Sequence, residues 1–319
     1  METPFQIISG PALSDMCDYS FGDHHAAMYS NLIGGFMKEA NIHNTEFLNK
    51  CEGFEGKIMT LYIDNLRLYD RSVEANEGFD TEWVNSMLAN NDLLVLCGQL
   101  VDNRFIIFSH QEDTCIDENI KIPKNVLGIY AVNAEYETEK LHPFPFGVQR
   151  QMTANDNRRQ VLTNNVIGDE KVEPAKLLYI NCAVDRNEER KDLPIYQTKD
   201  WATCRFDVYS MFYPYSQYQA YLNEIKDHKF VACPRGHANC YDTHKIWETL
   251  YLRRVPIVRD FPYFRRLLQG FPVLYVKEWS GITEELLEKN DHLYQEAQKM
   301  SLRKLDLDVI FNAIVKSYE

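Results

Sequence analysis

Positive charge is scarce in this chain. Its 319 residues carry 34 lysines and arginines against 47 aspartates and glutamates, a formal net charge of −13. Affinity for polyanions comes from cations that neutralise phosphates, so nucleic acid is not an expected partner. Any phosphate must be held by a few local residues. Long apolar runs are missing as well: no stretch approaches the roughly 20 apolar residues that a membrane span needs. The first nine residues lack the basic and apolar regions of a secretory signal. Eight cysteines, at 17, 51, 97, 115, 182, 204, 233 and 240, form no compact framework. Cys97, Cys182 and Cys233 lie in or beside apolar runs. Free thiols in a chain without a signal fit a reducing compartment, the cytoplasm of a microbial cell or of a virus-infected host. Internal repeats and low-complexity tracts are also lacking.

What is there is an ordinary globular balance, 45% hydrophobic and 25% charged, with 13% aromatic residues. The length suits two domains of roughly 150 residues. Apolar runs alternate with longer amphipathic stretches, the mark of an α/β fold with mostly parallel sheets. Strands are expected over 5–9, 57–63, 93–101, 105–108 and 126–132, with helices over 24–39 and 80–90 and a loop through residue 23. A Pro/Gly-rich passage over 141–148, followed by a polar stretch to 173, reads as the domain boundary. Beyond it, strands are expected over 176–181, 229–233, 255–258 and 273–276, and helices over 215–227, 242–252, 261–269, 283–301 and 305–318. The expected domains are therefore 1–150 and 151–304, with 305–319 a helix that returns to the first domain. In open α/β sheets ligands bind outside the carboxyl ends of strands, so the polar strand tips are where chemistry should collect.

The most informative stretch runs from Lys229 to Val258: strand, loop, helix, strand. Arg235 offers a planar fork suited to phosphate, and Gly236 lets backbone approach a ligand. Asp242 or Thr243 is a ready N-cap for the helix that follows. A helix N-terminus beside an arginine makes an anion site. Ile246, Trp247, Leu250 and Tyr251 fall on one helix face, while His244 and Glu248, four apart, stack at its rim. A carboxylate one turn in suits the vicinal hydroxyls of a ribose. An ordinary solvated helix glutamate explains Glu248 equally well.

Cys233-Pro-Arg-Gly236, Asp242-Thr-His-Lys245, Trp247-Glu248 and Val255-Pro-Ile-Val258 together resemble the donor-binding region of exostosin-like (GT47-type) glycosyltransferases and related short bacterial and viral enzymes. Leu177-Leu-Tyr-Ile-Asn181 with Arg190 downstream, Pro145-Phe-Gly147 and the run from Phe271 to Trp279 extend the likeness over residues 141 to about 290. The resemblance implies the GT-B architecture, two Rossmann-like domains facing each other across a cleft. It implies a transferase that moves a sugar from a nucleotide sugar to a glycan or glycoprotein hydroxyl, with inversion. The donor would be a UDP-sugar in preference to a GDP-sugar, a co-substrate rather than a cofactor. Arg235 would hold the diphosphate, Glu248 the ribose, and His244 would lie near the phosphates. Departures from the family pattern are a longer loop between Gly236 and Asp242, Lys245 in place of arginine, and Arg253 where a small residue follows the helix. An epimerase or hydrolase of the same fold, or a non-catalytic nucleotide- or glycan-binding protein, reads the same residues differently.

Cys233, His237, Cys240 and His244 raise the question of zinc, but their spacing fits none of the familiar ligand patterns. No metal is expected. The arginines at 253, 254, 259, 265 and 266 suggest ion pairs or support of an anionic substrate. Asp306-Leu-Asp308 spells a metal-transferase motif, but in a closing helix both carboxylates should face water. Without such a motif at a strand end, leaving-group charge falls to Arg, Lys and the helix dipole. An inverting transferase needs a general base. Asp23 and His24, His110 and Asp113, and Asp64 are the candidates, all at expected strand ends. Asp23 doubles as an N-cap candidate.

Overall fold

The computed structural model describes residues 5–21, 47, 49–54, 56–63, 94, 97–98, 100–110, 122–148, 158–167, 173–206, 215–236 and 241–319. It is α/β, with two parallel five-stranded sheets. The chain divides into two compact units, one of Gly10–Phe144 with Asn312–Glu319, the other of Met1–Ser9 with Pro145–Phe311.

The first unit opens with helix α1 (Gly10–Met16) and strand β1 (Tyr19–Phe21), followed by β2 (Ile58–Ile63), β3 (Arg104–Ser109), β4 (Val126–Ala131) and β5 (Leu141–Pro143). Its strands lie in sequential order, β1-β2-β3-β4-β5. Pro143 sits on the edge strand, where a missing N–H costs no ladder bond. Met59, Leu61, Ile63, Phe105 and Ile107 point to one face and pack with Phe47, Leu94 and Cys97. On the other, Phe108 stacks on Tyr130, and the Tyr318 hydroxyl lies 3.1 Å from that of Tyr130. Gly128 makes room for that ring: a Cβ there would stand 2.3 Å from the Tyr318 hydroxyl.

In the second unit, helix α2 (Arg158–Ile167) and strands β6 (Lys176–Asn181) and β7 (Ala202–Arg205) precede helix α3 (Tyr215–Lys226). There follow β8 (His228–Ala232), α4 (His244–Tyr251), β9 (Val255–Arg259), α5 (Pro262–Leu267) and β10 (Leu274–Val276). Helices α6 (Glu284–Lys289), α7 (Asp291–Lys299) and α8 (Leu307–Lys316) end the chain. The strand order is β10-β9-β8-β6-β7. Near-continuous apolar runs such as Phe230–Ala232 and Val255–Val258 are buried, as strands of a parallel sheet covered on both faces should be.

Several expectations are corrected. Residues 5–9 do not form a strand: Ile7 makes a single antiparallel bridge to Asp306, and the Ile8 N–H donates to the Tyr251 hydroxyl at 2.8 Å. The expected loop after them holds α1 and β1. Leu94, Cys97 and Gly98 are helical, not extended, and Leu94 and Cys97 reach the core with a helix's spacing of three. The polar stretch beyond residue 148 contains α2, which buries Val161, Leu162 and Val166. The helices expected over 24–39 and 80–90 lie outside the described residues. Asp306 does not face water: it is 5% exposed, and its Oδ1 accepts from the N–H groups of Gln6 and Asp308, so it caps α8 and ties down the N-terminal segment.

Helix α4 ends in a Schellman motif. The Arg254 N–H donates to Thr249 O and the Arg253 N–H to Leu250 O, both at 2.9 Å, with Arg253 itself at φ 54°. An arginine thus occupies the left-handed position that glycine usually fills. Gly147, at φ 66°, is packed so closely that a Cβ would lie 2.2 Å from the Ile8 carbonyl oxygen.

Two substitutions test this backbone. Arg253→Gly should stabilise the protein by about 1 kcal/mol in urea unfolding, because it relieves a left-handed non-glycine. Gly147→Ala should destabilise it by about 3 kcal/mol through strain and backbone collision. Gly270→Ala, also at positive φ but with nothing within 4 Å, should cost much less. Equal losses at 147 and 270 would contradict the packing.

Candidate functional site

The second sheet grows from β6 toward β7 on one side and from β8 toward β10 on the other. The order reverses between β6 and β8. At such a switch point the two crossover connections leave on opposite faces and open a crevice outside the carboxyl ends of the strands. Strand β6 ends at Asn181 and leads into three short 3-10 helices, Val184–Arg186, Glu188–Arg190 and Leu193–Thr198. Strand β8 ends at Ala232 and leads into Cys233-Pro-Arg-Gly236.

The two loops are laced together. Glu189 accepts from the Arg235 backbone N–H at 2.6 Å and, with its other oxygen, from Arg235 Nε at 2.9 Å. Arg190 donates from Nε and Nη2 to the Arg235 carbonyl and from Nη1 to the Ala183 carbonyl. The Asn187 amide donates to the Gly236 carbonyl at 3.0 Å. Arg235 is thereby fixed at backbone and side chain alike. Its guanidinium lies over the rings of Tyr241 (5.2 Å) and Phe261 (4.9 Å). Its two terminal nitrogens hold no hydrogen bond among the described residues, while Nε is committed to Glu189.

Lys245, one residue into α4, donates from Nζ to the Asn181 carbonyl at the tip of β6 and lies over the Tyr221 ring. Burial holds its ammonium below the ordinary lysine range. Arg235 and Lys245 thus present cationic groups at the ends of β8 and β6. The Asn181 side chain turns inward, to the Tyr179 hydroxyl.

The other expected donor residues are placed as follows. Arg190, 8% exposed, spends donors on the Ala183 and Arg235 carbonyls and acts as a brace. Glu248 is not at a rim: it is 4% exposed, and its two oxygens accept from the Tyr218 and Tyr221 hydroxyls, each at 2.8 Å. Both tyrosines stand on α3, which covers this flank of α4. Thr243 is the N-cap residue by backbone, yet its hydroxyl makes no capping bond. Asp242 is fully buried and accepts from the Phe146 N–H at 2.8 Å, from the Trp247 indole N–H and from the Thr243 N–H. It ties the Pro145-Phe-Gly147 segment to α4. His244 stacks on Phe146 with centroids 4.0 Å apart, and its Nδ1 donates to the Gly147 carbonyl.

Of the expected bases, Asp23, His24, Asp64 and Asp113 lie outside the described residues. His110 follows β3 with 0% exposure, so as placed it meets no acceptor from solvent. For zinc, His237 and Cys240 are outside the described residues. Burial pushes the Cys233 thiol up to about 12, and its Sγ donates to the Val231 carbonyl, the behaviour of a packed thiol rather than a ligand. No group of three metal-ligating side chains is present among the described residues. No described helix is long and apolar enough to cross a membrane.

Residues that the sequence did not single out are Asn187, Glu189, Tyr218, Tyr221 and Phe261. Only Glu189, beside Arg190 in a charged run, carried any local signal.

No protein-family model matches this chain, and no curated protein matches it. Among solved structures, an α1,3-fucosyltransferase is similar with 10% identity and TM-score 0.37, covering 76% of this chain and 81% of that one. An α1,3-fucosyltransferase with GDP-fucose gives 12% identity and TM-score 0.31, over 74% and 79%. AviGT4, a glycosyltransferase involved in avilamycin A biosynthesis, gives 9% identity and TM-score 0.36, over 89% and 87%. Likenesses of this size assign no residue a role.

Burial raises Asp242 from 3.8 to about 7. The folded state therefore holds an extra proton between those values, and stability falls as pH rises through that window. Relative to wild type, Asp242→Asn should gain on the order of 2 kcal/mol in urea unfolding between pH 5 and pH 8. A gap that stays constant or moves the other way would show that the carboxylate is ionised throughout.

Proposed function

We propose that this chain is a glycosyltransferase that binds a nucleotide sugar with its diphosphate at the carboxyl ends of β6 and β8. The supporting observation is the anchored Arg235, whose terminal guanidinium nitrogens are uncommitted among the described residues, beside Lys245 at the reversal of strand order. A diphosphate leaving group gathers negative charge as the bond to the anomeric carbon breaks. Cations fixed before the reaction stabilise that charge without reorganising, the usual source of large electrostatic rate gains. Lys245 suits this role because it is enclosed and pinned by a neutral carbonyl rather than a carboxylate.

The reaction is a single displacement with inversion. An acceptor hydroxyl oxygen of a glycan or glycoprotein bonds to the anomeric carbon, the sugar–phosphate bond breaks, and its electron pair leaves with the nucleoside diphosphate. The hydroxyl proton passes to a base drawn from Asp23, His24, Asp64 and Asp113. Arg and Lys carry the leaving-group role, without a catalytic metal. The donor is a UDP-sugar first and a GDP-sugar second. Glu248 receives the ribose only if the Tyr218 and Tyr221 hydroxyls yield or share it, and otherwise it anchors α3 to α4.

The test is a calorimetric titration with UDP, GDP and their sugars. Wild type should bind one series, and Arg235→Ala should weaken it at least roughly tenfold, the loss of a charged hydrogen-bonding pair. Product analysis with and without an acceptor glycan then separates transfer from hydrolysis. Absence of binding to every nucleoside diphosphate would refute the proposal.

A further inference from the structure

Two of the arginines that follow α4 are committed to oxygen acceptors. Arg254 donates to the Lys226 carbonyl and to Leu252 O. Arg265 holds Asp260 in a two-bonded pair, 2.7 and 3.0 Å. Arg259 differs. It is the last residue of β9, half-buried at the carboxyl end of the strand next to β8. Its side chain has no hydrogen bond and no carboxylate among the described residues, and its Nε is buried without a partner. Its guanidinium carbon lies 5.6 Å from the centroid of the Phe261 ring, which Arg235 also approaches at 4.9 Å. The neighbouring Asp260 is committed to Arg265, and Glu189 to Arg235. The stretch between Gly236 and Tyr241 contains no acidic residue to supply another.

Two guanidiniums sharing one aromatic ring, with a single carboxylate between them, leave a net positive charge in a chain whose own balance is −13. A cation left unpaired beside a buried donor is costly unless an anion completes it. We infer that Arg259 and Arg235 form a two-arginine clamp for a doubly charged phosphate group, with Phe261 holding both forks apart and in place. The inference rests on the reading of this crevice as a diphosphate site, and it adds a residue from a third strand, β9, to the pair at β6 and β8. Phe261 is the positioning residue, since a flat ring favours guanidinium planes stacked on it.

Inorganic pyrophosphate, UDP and GDP are titrated calorimetrically into wild type, Arg259→Gln, Arg259→Lys and Arg235→Ala, with unliganded melting temperatures as the folding control. Arg259→Gln should weaken pyrophosphate at least roughly tenfold while melting like wild type, and Arg259→Lys should recover part of the loss, because charge returns without the fork. The salt dependence of pyrophosphate binding should flatten in Arg259→Gln. If pyrophosphate binds in an Arg259-dependent way but neither nucleotide binds, the clamp stands and the nucleotide-sugar reading falls. If Arg259→Gln binds pyrophosphate like wild type while Arg235→Ala does not, the clamp is overturned and the diphosphate site remains. No pyrophosphate binding to wild type overturns the clamp outright.

Discussion

Three side chains of one turn, Asn187, Glu189 and Arg190, hold the backbone of Arg235 and Gly236, and the candidate site depends on that grip. A loop leaving a strand has backbone groups that the sheet no longer satisfies, and each must find a partner or water. Here those partners come from the neighbouring strand's loop. The Arg235 N–H, the Arg235 carbonyl and the Gly236 carbonyl are all taken by side chains that follow β6. Hydrogen bonds to charged groups contribute about 1.5–3 kcal/mol each, ample to fix a short loop in one conformation. The arginine fork is therefore presented rather than left to search, and a preorganised donor loses less entropy on meeting a charged ligand.

The same economy governs charge. A strongly acidic chain holds its few cations where the fold directs them: Arg254 and Arg190 go to carbonyls, Arg265 to a carboxylate, and Lys245 to the strand-tip carbonyl of Asn181. Carbonyls satisfy donors without cancelling charge. Lys245 is positioned by its neutral partner and stays electrostatically available to an anion. Asp242 is the counterpart just before α4. Its carboxylate collects the Phe146 N–H, the Thr243 N–H and the Trp247 indole. Through it the helix start and the Pro145–Gly147 segment are tied together.

Much of this was legible in the sequence where the signal is local. Apolar runs gave the buried parallel strands β2, β3, β4, β6, β8, β9 and β10 within a residue or two. Ile246, Trp247, Leu250 and Tyr251 of α4 are buried as their spacing requires, although Glu248 and Thr249 are buried too. The order of strand, loop and helix around Cys233-Pro-Arg-Gly236 was legible as well. What escaped is what distant residues decide. Glu248 looks like a rim carboxylate until Tyr218 and Tyr221, some thirty positions earlier, close over it. Asp306 looks solvated until the N-terminal segment lies against it. Strands β1 and β7 are too short to show a periodic signal, and the helical state of Leu94 and Cys97 was masked by an apolar run that suits strand or helix alike. Arg253 in a left-handed cap violates local preference, and a hint of it lay in its standing where the resembled pattern has a small residue after the helix.

The central claim is positional: a diphosphate sits where the strand order reverses, against the guanidinium after β8 and the ammonium beside the tip of β6. A crystal structure with uridine or guanosine diphosphate bound tests it most directly. The account predicts phosphate density within hydrogen-bonding distance of the Arg235 terminal nitrogens and Lys245 Nζ. A nucleotide bound elsewhere, with Arg235 and Lys245 still turned only toward protein, would contradict it.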